Sequence, residues 1–387
     1  MSISKRLNSS KFFKLNLKTP LVLKPNMKIL VLMKRFGTNK DLVMQNFGRQ
    51  VRLFEQLQRL GHRIDFLCMD YKKFESRKVR IKSIDYYIEP FSLTKFSYFL
   101  KKLRSLLKQN RYDLIVPSTS PILGIVAYFY SRKYKVKMLY ELQDSFDVYG
   151  EYRIPFVRQL DRHIIKNCEA VVCVSQTLKK RIAKFRKKPV YVIENGIERD
   201  LFRPMDKGKC RKKLNLPSDA KIIVYIGHIT RLKGFDVLLK AFDRVREKYP
   251  DTYLLLSGLV DRGISLEHEN VIFRPLPKRE QVVMAINSAD VAVNPDIKNE
   301  FTEFCFPYKI AEYMACKVPI VASDIGDVSI LLKRYKGSLC SPNDAEELSR
   351  KILEKLRNFK RVDYKNLKRF EWKALGERLD RIISGVS

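Results

Sequence analysis

A chain of 387 residues, 45% hydrophobic and 11% aromatic, has enough apolar mass for packed cores and too much length for one. Two domains of about 150–200 residues are expected, and wholesale disorder is excluded. Lys and Arg number 77 against 42 Asp and Glu, a net charge of +35 that falls mostly in residues 1–200. That half is expected to face something anionic, whether nucleic acid, lipid or substrate.

Residues 1–26 are basic without a single acid and lack the continuous apolar stretch of a leader peptide, so they read as a basic extension. No run reaches the ~18 apolar residues needed to span a bilayer. Lys28–Met33 is a predicted strand. Val43, Phe47, Val51, Phe54 and Leu57 repeat at helical spacing and predict a helix over Val43–Leu60, stopped at Gly61. A strand over Arg63–Cys68 follows, then a basic cluster at Lys72–Lys82. Residues 93–111 form a basic amphipathic helix with Leu93, Phe96, Phe99, Leu100, Leu103, Leu106 and Leu107 on one face. Such a helix either packs on a sheet with a solvated basic rim or docks on an anionic membrane surface. Pro121–Tyr130 is the longest apolar run and reads as a core segment; Leu114–Pro117, Lys137–Glu141, Ala170–Val174 and Val190–Ile193 read as buried strands.

The pattern then repeats. Lys221–Ile226, Tyr253–Ser257, Val271–Phe273, Val291–Val293 and Pro319–Ala322 are predicted strands, with helices such as Val237–Tyr249 between them and a joint near Phe202–Pro217. Alternation of this kind gives an α/β fold of two Rossmann-like, doubly wound domains facing a cleft. Ligands in such sheets sit outside the carboxyl ends of the strands, so the chemistry belongs in the loops that follow them. No G-x-G-x-x-G follows the first strand and no G-x-x-x-x-G-K-[ST] occurs, which argues against a nicotinamide oxidoreductase and a P-loop hydrolase. The seven cysteines (68, 168, 173, 210, 305, 316, 340) form no C-x-x-C pair, and the four histidines stand at no ligand spacing to them. Neither a zinc site nor a disulfide framework is expected, and a reducing, cytoplasmic compartment fits.

Two segments carry the chemistry. In Tyr225–Phe235 a strand ends, Gly227 permits close backbone approach, and Arg231 and Lys233 precede a helix. A glycine followed by cations at a strand-to-helix loop is suited to a pyrophosphate, although a solvated basic turn has the same look. In Cys305–Cys316, Pro307 suits the first turn of a helix whose free N–H groups attract phosphate. Lys309 and Glu312 are three apart and share a face, so Lys309 is placed to meet phosphate oxygens and Glu312 to accept from ribose hydroxyls.

These segments, with Val192–Ile197, Phe202-Arg203-Pro204, Ala289–Pro295, Phe306–Asp324, Val174-Ser175 and the closing Phe370-Glu371-Trp372, resemble glycosyltransferase family 4 over most of residues 27–387. The resemblance implies a GT-B fold: an acceptor domain over 27–204, a nucleotide-sugar domain over 205–365, and a helix over 366–387 crossing back to the first. It implies a retaining transfer of sugar from a nucleoside diphosphate sugar, with no cofactor and no metal. Lys233 then falls on the pyrophosphate-binding lysine and Glu312 on the ribose-binding glutamate. Gly227, His228, Gly258, Pro307, Tyr308 and Lys309 fall on the donor side; Gly37, Ser118 and Ser120 fall on the acceptor side.

The chain departs from the family at three places. The first Glu of the paired-Glu pattern is Phe304, with Glu303 one residue early, so either the loop bends to bring Glu303 in or the donor sugar is held differently. His228 stands where an Arg is usual, and Arg231 is the candidate to supply that charge. The acceptor-side histidines are missing; Asp144, in Glu141-Leu142-Gln143-Asp144, is a candidate for acceptor or catalytic contact, or else a turn residue. The expected partners are a nucleoside diphosphate sugar, an acceptor glycan or glycolipid and the anionic inner face of the cell membrane, not nucleic acid, whose motifs and stacking platforms are missing. The alternative is a catalytically impaired partner of an active transferase.

Overall fold

The computed structural model describes residues 26–37, 40–145, 147 and 150–386; apart from Asn26, the expected basic extension lies outside them. The first unit runs β1 (Lys28–Lys34), β2 (Phe36–Gly37), β3 (Lys40–Asp41), α1 (Arg49–Arg59), β4 (Arg63–Asp70), β5 (Arg77–Ile81), β6 (Ile84–Pro90), α2 (Phe96–Gln109), β7 (Leu114–Pro117), α3 (Pro121–Tyr134), β8 (Lys137–Leu142), α4 (Val157–Asn167), β9 (Ala170–Cys173), α5 (Gln176–Ala183) and β10 (Val190–Val192). The second runs α6 (Lys207–Lys213), β11 (Lys221–Ile226), α7 (Phe235–Arg246), β12 (Thr252–Ser257), β13 (Val271–Phe273), α8 (Arg279–Ser288), β14 (Val291–Asn294), α9 (Glu300–Phe304), α10 (Tyr308–Ala315), β15 (Ile320–Ser323), α11 (Gly326–Leu332), β16 (Leu339–Cys340) and α12 (Ala345–Arg357). A last helix, α13 (Trp372–Val386), closes the chain.

The strand order is β10-β9-β8-β7-β1-β4-β6-β5 in the first sheet and β13-β12-β11-β14-β15-β16 in the second. Within these two sheets β5 alone runs antiparallel to its neighbour, and β2 and β3 pair antiparallel as a separate two-stranded ribbon. In each sheet the founding strand, β1 or β11, lies inside the sheet, with the next parallel strand on one side and a later one on the other. That reversal opens a crevice at the carboxyl ends. The inner strands are buried on both faces, as helices on both sides of a parallel sheet require. α13 returns to the first unit, where Leu375, Leu379 and Ile383 join the core around Val51 and Phe54. Arg369 and Arg378 hold the buried Glu194 at 2.7 Å each, and the Ile197 N–H donates to the Phe370 carbonyl at 2.8 Å.

Several expectations need correcting. The first helix begins only at Arg49, because the Asp41 carboxylate accepts from the Val43 and Met44 N–H groups and ties that stretch into a turn. Asn46 (φ 46°) and Gly48 (φ 96°) then leave the helical region. The basic cluster at Lys72–Lys82 contains the edge strand β5, whose polar sequence hid it. The core segment read at Pro121–Tyr130 stands: it is the front of α3, with Leu123, Val126 and Ala127 buried. α2 packs on the first sheet through Phe99, Leu103, Leu106 and Leu107, while Leu93 precedes the helix and is fully exposed.

Candidate active site

The donor side is built where β11 and β12 end. Gly227 (φ 149°) and Gly258 (φ 141°) both need backbone that other residues rarely adopt. A Cβ on Gly258 would lie 1.8 Å from the Gly227 carbonyl oxygen, so the two strand ends meet only because Gly258 lacks a side chain. A Cβ on Gly227 would lie 3.2 Å from Lys309 Nζ. The glycine therefore leaves a lysine ammonium beside bare backbone.

Lys309 stands in the first turn of α10 and is only 8% exposed. Its Nζ lies 4.1 Å from the Tyr225 ring centroid and has no hydrogen-bond partner among the described residues. Burial lowers its pKa, opposed by the charges of Asp296 and Glu312. A buried unpartnered ammonium is costly, and such groups are kept where an anion completes them. The opening N–H groups of α10 also lack intrahelical acceptors. Pro307 caps the helix from one position before its first turn, with Tyr308 as the first helical residue.

Lys233 joins this cluster and Arg231 does not. The two flank a single 3₁₀ turn, in which successive side chains diverge by about 120°. Lys233 Nζ lies 5.0 Å from the Phe301 ring, and its charge acts with that of Lys309 on Cys305. Arg231 is 72% exposed and faces Asp236 at 3.5 Å, so it does not supply the missing charge. His228 is occupied at the loop's edge, its Nε2 2.5 Å from Asp261.

The loop does not bring Glu303 beside Lys309; Asp296, after β14, acts on Lys309 together with Glu312. Among the described residues the Glu303 side chain makes no ion pair or hydrogen bond, and its carbonyl accepts from the Thr177 hydroxyl at 2.9 Å. Phe304 serves the joint between the units. Its carbonyl accepts from Ser175 Oγ at 2.5 Å, and its ring lies 4.6 Å below the Arg181 guanidinium. The Asp327 carboxylate of α11 accepts the first N–H groups of α5, locking the same seam.

Glu312 lies one turn beyond Lys309, its Oε1 3.5 Å from Arg279 Nη2. Burial pushes its carboxyl up, opposed first by Arg279 and also by Lys40, which reaches over from β3. From the first unit Asp144 faces the donor loop, its charge acting on both Cys305 and Tyr308. Burial raises the Tyr308 hydroxyl, and Arg49, Glu141 and Glu312 lie within electrostatic reach of it. Arg49 is buried with its Nε 2.5 Å from Glu141 and its Nη1 2.6 Å from the Glu194 carbonyl.

Ser118 and Ser120 are fully buried and turned to internal partners, not to the cleft. Ser118 donates to Glu141 and accepts from Gln143; Ser120 donates to Glu151 at 3.1 Å. At Gly37 a Cβ would meet only Leu42, at 3.5 Å, so no close approach requires that glycine. The sequence reading missed Arg49, Asp296, Arg279 and Lys40. Asp296 was within reach of the rule that ligands sit after strand ends; the others carry no local signal. Among the described residues no group of three or more His, Cys, Asp or Glu is placed to hold a metal ion.

Residues 206–369 match the family model for glycosyl transferases group 1, and residues 50–201 match that for glycosyltransferase family 4. Together these two glycosyltransferase models match most of the chain, which resembles glycosyltransferase family 4. The D-inositol 3-phosphate glycosyltransferase of Mycobacteroides abscessus is 24% identical over 209 residues, 49% of this chain and 44% of that one. The chain thus spans about half the length of such curated relatives. Sucrose-phosphate synthase from Thermosynechococcus elongatus aligns over 93% of this chain and 99% of its own, with a TM-score of 0.73 at 19% identity. Anabaena HepE, solved with UDP, aligns over 93% and 100%, with a TM-score of 0.71 at 17% identity. At such identities the likeness shows the fold, which is GT-B.

Proposed function

We propose that this glycosyltransferase moves a sugar, with retention and without a metal, from a nucleoside diphosphate sugar to a glycan or glycolipid acceptor. The observation that carries the reading is Lys309: a buried ammonium without a hydrogen-bond partner among the described residues, beside Gly227 at the start of α10. The departing diphosphate is the anion that completes it. Lys233 and the α10 N-terminus add positive potential at the same place, which counts for more in the transition state as charge builds on the leaving group. Glu312 accepts from the ribose hydroxyls, and Asp144 contacts the acceptor from the opposite wall. As the sugar–phosphate bond breaks and the acceptor oxygen attacks the anomeric carbon, the acceptor's proton passes to the leaving phosphate, so no separate base is required.

HepE was solved with UDP and with UDP-glucose, which puts UDP-sugars first among donors to try. The basic first unit favours a lipid-linked or anionic acceptor at the cytoplasmic membrane face. The impaired-partner reading keeps one supporting observation, Phe304 at the place of the family's first Glu.

The test is calorimetric titration with UDP-, GDP-, ADP- and dTDP-sugars, with Lys309→Ala beside the wild type. One donor is expected to bind, and the variant should lose roughly 10²-fold in affinity and rate, the worth of one cation in a water-poor cleft. No binding by the wild type would overturn the donor site. Binding without sugar transfer to any glycan or lipid acceptor would leave the partner reading.

A further inference from the structure

Arg279 opens α8 at the mouth of the cleft, and nothing in the transfer chemistry above uses it. Its guanidinium carbon lies 5.0 Å from the Phe202 ring centroid. Its Nε faces Glu198 at 3.3 Å and its Nη2 faces Glu312 at 3.5 Å. Glu198 lies on the connection between the two units and is held from its other side by Arg52 at 3.0 Å. One planar cation, stacked on an aromatic ring, therefore bridges two carboxylates from different parts of the chain. The contact to Glu312 is longer than a good charge-assisted hydrogen bond, about 2.8 Å, so the carboxylate is aimed without being saturated.

Resting on the donor-site reading above, we infer that Arg279 is a positioning residue for the nucleotide's ribose, presenting the Glu312 carboxylate to the two ribose hydroxyls. Arg279 acts through Glu312 and need not touch the nucleotide. The charge balance around Glu312 supports this. Burial pushes the carboxyl up; Arg279 is the largest counterweight, Lys40 from β3 and Lys309 from the same helix also oppose, and Glu198 adds to the rise. Tyr308 and Tyr313 on α10 and Cys316 at its end are neutral titratable groups that the Glu312 charge also reaches. Without the Arg279 cation the carboxyl rises further, and a protonated carboxyl accepts fewer hydrogen bonds from ribose. Affinity for the nucleotide should then fall at acid pH and return as pH rises.

The experiment titrates UDP, GDP, ADP and dTDP in turn into the wild type, Arg279→Lys and Arg279→Gln, at about pH 5.5 and about pH 8.5, with thermal melts to confirm folding. For the nucleotide that the wild type binds, Arg279→Gln should be about tenfold weaker at the lower pH and within about twofold of the wild type at the higher one. Arg279→Lys should stay close to the wild type at both. A loss of equal size at both pH values, or no loss, overturns the inference while leaving the donor site standing. If the wild type binds none of the four, the donor-site reading falls first and this one with it.

Discussion

Not every buried charge in this molecule lies at the cleft. Asp161 on α4 is fully buried and accepts from the Tyr140 hydroxyl at 2.7 Å and the Tyr152 hydroxyl at 2.5 Å. Burial pushes its carboxyl up to about 6 despite both hydrogen bonds. A folded-state value above the unfolded one, about 3.9, means that ionisation works against the fold. Stability from this group is full below about pH 4 and is lost as pH rises through about 6, a swing of roughly 3 kcal/mol. Asp161→Asn keeps the shape and removes the ionisation. Its urea midpoint should match the wild type near pH 4 and exceed it near pH 8; a midpoint no higher at pH 8 would refute the argument. Lys309 differs in facing a glycine-lined loop, which is why its unpartnered charge points to a ligand. Lys233, Lys309 and Glu312 were legible in the sequence because each sits in a local pattern of strand end, glycine and helix start. Arg49 and Arg279 were not. Their partners Glu141 and Glu198 lie 92 residues away and on the connection between the units, and no local spacing encodes that meeting.

Among the elements, α13 ties the end of the chain to the first unit through contact with α1. The contact is close because Gly376 faces Gln56: a Cβ there would lie 2.2 Å from the Gln56 Cβ. In an exposed helix, Gly→Ala would stabilise by about 1 kcal/mol. Here the added methyl must push two helices apart, and overpacking costs about 1–3 kcal/mol. Gly376→Ala should therefore lower the thermal midpoint, while Gly385→Ala, on the same helix with nothing within 4 Å of the added Cβ, should not. Equal effects at the two positions would show that propensity, not packing, governs α13. The strands that the sequence disclosed, such as β1 and β7, are buried on both faces and so read as unbroken apolar runs. β5 escaped because an edge strand with one neighbour carries charge where an inner strand carries Val or Ile. The start of α1 escaped because a side-chain turn at Asp41 overrode an apolar spacing that does continue through it.

At the scale of the whole molecule, a net charge of +35 has to be solvated or matched, and Lys95, Lys101 and Lys108 around α2 are exposed to solvent. Around α2, exposed aromatic and aliphatic side chains lie among lysines: Phe74 under Lys95 at 5.2 Å, Tyr98 beside Lys101 at 5.9 Å, and Leu93 fully exposed just before the helix. Among the described residues no helix is long and apolar enough to cross a membrane. Each basic residue near an anionic surface contributes about 1 kcal/mol, and a few inserted apolar side chains add to that. The protein should sediment with phosphatidylglycerol vesicles at low salt and stay in solution with phosphatidylcholine alone. Raising the salt to about 0.5 M should release most of it, since screening shortens the reach of each charge to a few ångströms. Leu93→Glu combined with Lys101→Glu should reduce the sedimented fraction severalfold and leave nucleotide affinity unchanged, because neither residue lies near the cleft cluster. Protein that remains in the supernatant with anionic vesicles at low salt would remove the membrane from the proposed reaction and leave a water-soluble anionic acceptor as the partner of the basic half.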